Sequence, residues 1–388
     1  MPASTTTQLT ALLAAAALLV AVAACQKQTT PLIPAGTLAA LPLTALSPAD
    51  NPTSPAKVDL GRALYWDPVL SGGRDVSCAS CHHPATGYAD GLDLAIGENG
   101  QGLGAARHFR LPNTIPFGQR NTSTVLNSAF NGLTLNGSVD PALAPMFWDS
   151  RANSLETQAL LPVAKLEEMR GHQYAEGAAP DSVVARLRRI PAYEALFQAA
   201  FPQPVPITAT TIGQALACFE RTLVATNSPY DQYLRGNTAA LTAQQVQGMQ
   251  SFLQSGCGNC HSGPMLSDYQ LHVMGVPDNA KNVTSDTGAN GTYAFRTPSL
   301  RNVALTAPYM HSGAVANLAA VLDFYDNGRD GATANPHVSA RQRDLQFPNR
   351  VQNKQAIIAF LNSLTDTNYD RTVPATVPSG LVVGGNIQ

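Results

Sequence analysis

Cys78-Ala79-Ser80-Cys81-His82 and Cys257-Gly258-Asn259-Cys260-His261 share the pattern C-x-x-C-H. Two thiols at that spacing can add across the vinyl groups of a porphyrin and tether it. The imidazole that follows then lies beneath the ring and ligates the iron. Two copies, both ending in His, in a chain with 6 Cys predict two covalently bound c-type haems. The competing chemistry is a zinc site built from the four thiols Cys78, Cys81, Cys257 and Cys260. The His that directly follows each pair favours haem, and so does an export leader at the start of the chain.

Each motif needs an element that delivers it to a pocket. Apolar residues at helical spacing predict a helix over 58–65 before the first motif, closed by Asp67-Pro68. Thr242 is the expected N-cap of a second helix, with Val246, Met249 and Phe252 inward and Gly256 ending it just before Cys257. Further helices are expected over 121–130, 154–161, 181–189, 192–200, 208–225, 317–327 and 351–364. In the 208–225 helix, Ile212, Leu216, Phe219 and Leu223 form one apolar stripe. Residues 87–119 are Gly-rich and read as a long loop beside the first haem. No alternating strand pattern is visible. The expected class is therefore mainly α: two cytochrome c-like domains with long irregular loops, each holding one haem.

The 388 residues suffice for two domains, and a formal net charge of −2 gives no sign of nucleic-acid binding. Residues 9–22 are an apolar run too short to span a bilayer comfortably, which predicts a signal peptide over 1–25. Val22-Ala23-Ala24-Cys25 has the form of a lipoprotein cleavage box, although the first ten residues carry no Lys or Arg. The expected location is the periplasm, with a lipid anchor on Cys25 and no other membrane contact. A flexible linker is expected over 26–56, an N-terminal haem domain over 57–227, a C-terminal haem domain over 228–370 and a tail over 371–388. Cys218 lies among apolar residues and reads as core, so no disulfide is implied.

Beyond the haem motifs, the chain carries Leu60-Gly61-Arg62-Ala63-Leu64-Tyr65-Trp66-Asp67-Pro68, Arg120-Asn121-Thr122, Phe147-Trp148-Asp149-Ser150-Arg151, Pro298-Ser299-Leu300-Arg301-Asn302-Val303 and Thr306-Ala307-Pro308-Tyr309-Met310-His311-Ser312-Gly313. In order and spacing these stretches resemble the bacterial di-haem cytochrome c peroxidases and their MauG-type relatives, over about 57–366. The resemblance implies a peroxide-reactive N-terminal haem and an electron-transferring C-terminal haem. By position, Glu168 matches the acid–base group beside peroxide, Gln158 a second residue that orients it, and Trp148 an indole between the haems. Read without the resemblance, Glu167 and Glu168 would be a solvated pair and Trp148 a core residue. Tyr325, fourteen residues after His311, matches the second axial ligand of the C-terminal haem. Conventional peroxidases have Met at that position and MauG-type enzymes have Tyr; Met310 is the rival ligand by chemistry. Thioether sulfur favours ferrous iron, and a phenolate favours ferric iron.

The resemblance also implies a calcium ion held by Asn121, Thr306 and Pro308, the last two through backbone carbonyls. Asn113 stands where conventional peroxidases carry a removable distal His, and His108 in the Gly-rich loop is the alternative. His311 is expected to bind a haem propionate or nearby backbone, His83 to lie at the surface, and His172, His272 and His337 have no partner visible in sequence. The implied substrate is hydrogen peroxide. Electrons would come from a small periplasmic cytochrome or cupredoxin, or from the residues of a protein substrate that is thereby modified. The sequence leaves the oligomeric state open, a homodimer included. A pure electron carrier with both irons capped is the alternative from another class.

Overall fold

The computed structural model describes residues 37–202, 204, 207–327, 335–344 and 350–388. The predicted leader, Cys25 and the first part of the linker lie outside these. Among the described residues no helix is long and apolar enough to cross a membrane.

Eleven α-helices run through the described chain: α1 (Pro55–Trp66), α2 (Cys78–Cys81), α3 (Leu155–Gln158), α4 (Leu161–Ala164), α5 (Ala179–Leu187), α6 (Pro191–Ala200), α7 (Ala209–Glu220), α8 (Pro229–Leu234), α9 (Ala243–Gln254), α10 (Leu318–Asn327) and α11 (Lys354–Ser363). The sheet content is two antiparallel pairs of two-residue strands, β1 (Gly100–Gln101) with β2 (His108–Phe109) and β3 (Leu271–His272) with β4 (Phe295–Arg296). The chain is mostly helical with little sheet, as the missing alternation implies.

Local chemistry sets the helices that precede the haem motifs. Ser54 caps α1 by accepting from the Lys57 amide, and Pro55 stands at its first turn, where no amide is needed. Asp67 closes α1 and accepts from the Val69 amide to open the next turn. Thr242 and Gln245 form a reciprocal capping box on α9, which ends at Gly256 in the left-handed region, φ 85°. The expected helix over 121–130 is not formed: only Ser128–Phe130 makes a 3-10 turn. Its polar side chains bond backbone instead, Asn121 to Leu92 O and Thr124 to Gly87 O, and Asn127 sits at φ 62°.

The two helices that deliver the motifs are packed alike. α1 crosses α7 and α9 crosses α11. Each crossing is made by a glycine: a Cβ on Gly61 would overlap the Ala215 carbonyl, and one on Gly248 would overlap the Ala356 carbonyl. Backbone-on-backbone contact then brings Leu60, Leu64, Phe219 and Ile212 together around the first crossing, and Phe252, Ile357 and Phe360 around the second. This repeat is not visible as sequence similarity, because one small residue at the contact suffices to make it.

The ends of the chain exchange sides. The stretch from 37 to 54 is not a free linker. Leu41 is 2 % exposed and packs with Phe130, Leu133, Met265 and Tyr269. The Leu41 amide donates to Asp231 at 2.9 Å, and Arg301 donates to Ala39 O at 3.0 Å. The tail returns to the first motif: Ser379 donates to Asp67 at 2.7 Å, Gly384 N to Trp66 O at 2.8 Å, and Ser80 Oγ to Gly384 O at 3.0 Å.

Adding one methyl at either crossing overpacks it. Gly61→Ala and Gly248→Ala are each expected to lower stability by about 1–3 kcal/mol in denaturant unfolding. Gly177→Ala, where a Cβ meets nothing within 4 Å, should stay within about 0.5 kcal/mol of the parent.

Candidate active site

The first motif occupies the single turn α2, which places Cys78 and Cys81 on one face at i and i+3. Ser80 Oγ accepts from the Ser77 amide at 3.0 Å and steadies the turn. His82 follows, its Nδ1 3.1 Å from Tyr88 O. A carbonyl can only accept, so Nδ1 carries the proton and Nε2 keeps the lone pair that binds a metal. Burial lowers the His82 pKa, which keeps the ring neutral. The Tyr65 hydroxyl donates to His82 O at 2.6 Å.

The second motif repeats the device. Cys257–Asn259 form a 3-10 turn, and His261 Nδ1 lies 3.0 Å from Leu266 O. Burial lowers this imidazole as well. Each motif opens on its own cavity. One is lined by Cys78, Cys81, His82, Gln158, Glu168 and Trp148, the other by Cys257, Cys260, His261, Tyr325, Met310 and Trp148. A thiol pair, a neutral imidazole held through Nδ1, and a cavity beside them are the donor set that a tethered haem requires, so the residues fit the group at both places.

Glu168 lies in a π-type turn, Leu166–Arg170, a form found often at functional sites. Gly97 packs against this turn so closely that a Cβ would overlap the Glu167 and Glu168 carbonyls, and Gly72 N donates to Met169 O at 2.7 Å. Burial first, and then the neighbouring Glu167 carboxylate, pushes Glu168 up to about 7. Gln158 ends α3 on the wall of the same cavity.

Trp148 lines both cavities, and its Nε1 donates to Asn121 O at 2.9 Å. Tyr325 on α10 lines the second cavity; burial, with the Cys257 and Cys260 sulfurs nearby, pushes its phenol up. Asn121, Thr306 and Pro308 also line that cavity. Asn121 spends its amide nitrogen on Leu92 O at 2.8 Å. Among the described residues, its side-chain oxygen and the Thr306 and Pro308 carbonyls accept no hydrogen bond.

The remaining histidines divide sharply. His108 is exposed, with Nδ1 3.0 Å from Ala106 O, and is not on the first cavity's wall. Asn113 donates to Ile115 O at 2.8 Å. His83 is half-buried edge-on to Trp66 rather than at the surface. His311 is buried and stacked on Phe295, its Nε2 without a partner. His272, unpaired in sequence, lies 2.9 Å from Asp268 and 3.6 Å from Asp344. Cys218 is fully buried, as expected. Sequence reasoning missed Glu220, a second buried carboxyl on the first cavity's wall, which burial pushes up to about 8. A single carboxyl near the end of a helix carries no local sign of burial, and here the whole stretch 215–221 is buried.

A fold with two such sites defines a c-type di-haem oxidoreductase. A family model described as di-haem cytochrome c peroxidase matches residues 55–239. The methylamine utilization protein MauG of Methylorubrum extorquens is 34% identical over 332 residues, covering 84% of this chain and 83% of that protein. The cytochrome c551 peroxidase of Pseudomonas aeruginosa is 33% identical over 326 residues, covering 81% and 80%. Among solved structures, a MauG-like protein associated with microbial copper homeostasis superposes with a TM-score of 0.66 at 31% identity, covering 84% of this chain and 95% of its own. The chain belongs to the di-haem cytochrome c peroxidase and MauG family, and it is an oxidoreductase of the cytochrome c peroxidase type.

Glu168 predicts a pH profile. A base with a pKa of about 7 is populated as pH rises, so the rate of reaction with peroxide should climb through neutral pH and level off above it. Glu168→Gln should lower the rate by about 10²–10⁴-fold and remove that limb, as read by stopped-flow absorbance. A limb that survives in the variant assigns it to another group.

Proposed function

We propose that this protein reduces hydrogen peroxide to water at the first cavity, with electrons that enter at the second. The observation that carries the reading is an inequality: two cavities share the C-x-x-C-H donor set and a wall at Trp148, yet only the first adds Glu168 and Gln158, and only the second adds Tyr325. Haem, when tethered, supplies a redox-active iron at each site, the first with a position open to peroxide. His82 and His261, each with Nδ1 on a backbone carbonyl, would hold that iron through Nε2. Glu168 takes the proton from one peroxide oxygen and returns it to the other, which leaves as water. Gln158 orients peroxide by hydrogen bonding. Trp148 relays electrons across the wall. Two electrons from the donor and two protons from solvent convert one peroxide to two waters.

Tyr325 would supply the second protein ligand to the iron at the second site. Asn121, Thr306 and Pro308 would hold a calcium ion through their oxygens, which would brace the wall. The N-terminal site belongs to a lobe over 57–227 and the C-terminal site to one over 228–370. The leader sends the chain to the periplasm, where Cys25 anchors it by lipid. The donor is a small cytochrome or cupredoxin.

Tyr325 favours a second reading, in which the electrons come from residues of a partner protein and peroxide serves to modify that partner. A phenolate ligand disfavours ferrous iron, so a Tyr-capped site accepts electrons reluctantly from an ordinary donor.

Mixing the peroxide-treated protein with reduced small cytochrome c separates the readings: rapid oxidation supports a peroxidase fed by a redox protein, and none supports the modifying enzyme. Tyr325→Met should raise the potential of the second haem in spectroelectrochemical titration. An unchanged potential would mean that Tyr325 is not a ligand.

A further inference from the structure

Eight residues line both cavities: Asn121, Thr122, Ser123, Thr124, Ser128, Asn131, Trp148 and Arg296. Arg296 alone among them carries a charge. It is 8 % exposed, and burial pulls its guanidinium down to about 10. Its backbone amide donates to Trp148 O and its Nε to Phe147 O at 3.0 Å, so the side chain is fixed against the wall between the sites. Among the described residues no carboxylate lies within ion-pair distance of it, and Asp149, which acts on it from farther off, is committed to Arg120 and Arg151. The other arginine and lysine side chains on these walls are all paired: Arg120 with Asp149 and Asp286, Arg151 with Asp149, and Lys165 with Glu176.

A buried guanidinium with no ion-pair partner of its own is costly, and its terminal nitrogens have the fork geometry that matches a carboxylate. A c-type haem brings two carboxylates of its own, on the propionates. The propionates leave the macrocycle at the edge away from the thioether bonds. The tethering cysteines line one cavity each and Arg296 lines both, so its guanidinium is on the wall of each pocket that would hold a haem.

We propose that Arg296 is a shared counter-ion, binding a propionate carboxylate from each haem and so coupling the two redox centres electrostatically. The inference rests on the assignment of both cavities to haem. Its consequence is definite in sign. Reducing either iron adds one negative charge beside the cation, so Arg296 favours the ferrous state at both sites and offsets the repulsion between the two propionates.

The test is spectroelectrochemical titration of the holoprotein and of Arg296→Gln, with covalent haem counted by pyridine haemochrome. Wild type should show two haems and two reduction steps; a single haem would defeat the haem assignment and the inference together. In Arg296→Gln, with haem content retained, both potentials should fall by at least a tenfold change in ferrous-to-ferric ratio, about 59 mV for a one-electron couple. If neither potential moves, or only one does, a shared counter-ion is ruled out while the haem assignment stands. Should Arg296→Gln fail to assemble, Arg296→Lys keeps the charge and removes the fork. Infrared redox difference spectra with isotope-labelled arginine then decide. A guanidinium band present at both reduction steps of wild type and lost from both in Arg296→Lys supports the proposal, and a band that persists in the variant overturns it.

Discussion

Electrons that pass between the two cavities must cross the wall the cavities share, and that wall hangs on one chain of hydrogen bonds. Asn121 N donates to His311 O at 2.7 Å, Trp148 Nε1 donates to Asn121 O at 2.9 Å, and Arg296 N donates to Trp148 O at 2.6 Å. The chain joins residues from three distant parts of the sequence at the one place where both sites meet. It fixes the plane of the indole and the position of the buried cation. Asn121, in the middle, also contributes one of the three oxygens proposed to hold calcium. The indole, the buried cation and Asn121 are thus placed by the same few backbone contacts.

Around this wall the chain builds two similar supports and furnishes them differently. The supports are α1 on α7 and α9 on α11, each locked by a glycine crossing and each followed by a haem motif whose imidazole is fixed through Nδ1. Similar packing gives similar tethering. The difference lies in what faces each cavity: a buried carboxyl on a tightly held turn at the first, a buried phenol on α10 at the second. The exchange of chain ends, with Leu41 packed near Met265 and Gly384 beside Trp66, ties the halves to each other without adding groups to either site.

How much of this could be read in the sequence depended on the range of the chemistry. The haem motifs are local, because two thioether bonds and an axial ligand must come from adjacent residues, and they were plain. Helices with caps and stripes, such as 243–254, were equally plain. Glu168, Trp148 and Tyr325 could be singled out only through the family resemblance, since in isolation each looks like a solvated or core residue. Arg296, Glu220 and the His272 pair with Asp268 left no trace, because burial and pairing arise from chain that folds back from far away. The helix expected over 121–130 failed for a physical reason: Asn121, Thr122 and Thr124 spend their side chains on Leu92, Asp90 and Gly87, and the segment becomes wall instead.

The central claim is that two tethered haems are capped unequally, one open beside Glu168 and one closed by Tyr325. Electron paramagnetic resonance of the fully oxidised protein tests it directly. The account predicts one high-spin and one low-spin ferric signal in equal amounts. Two low-spin signals, or two of the same kind, would contradict it.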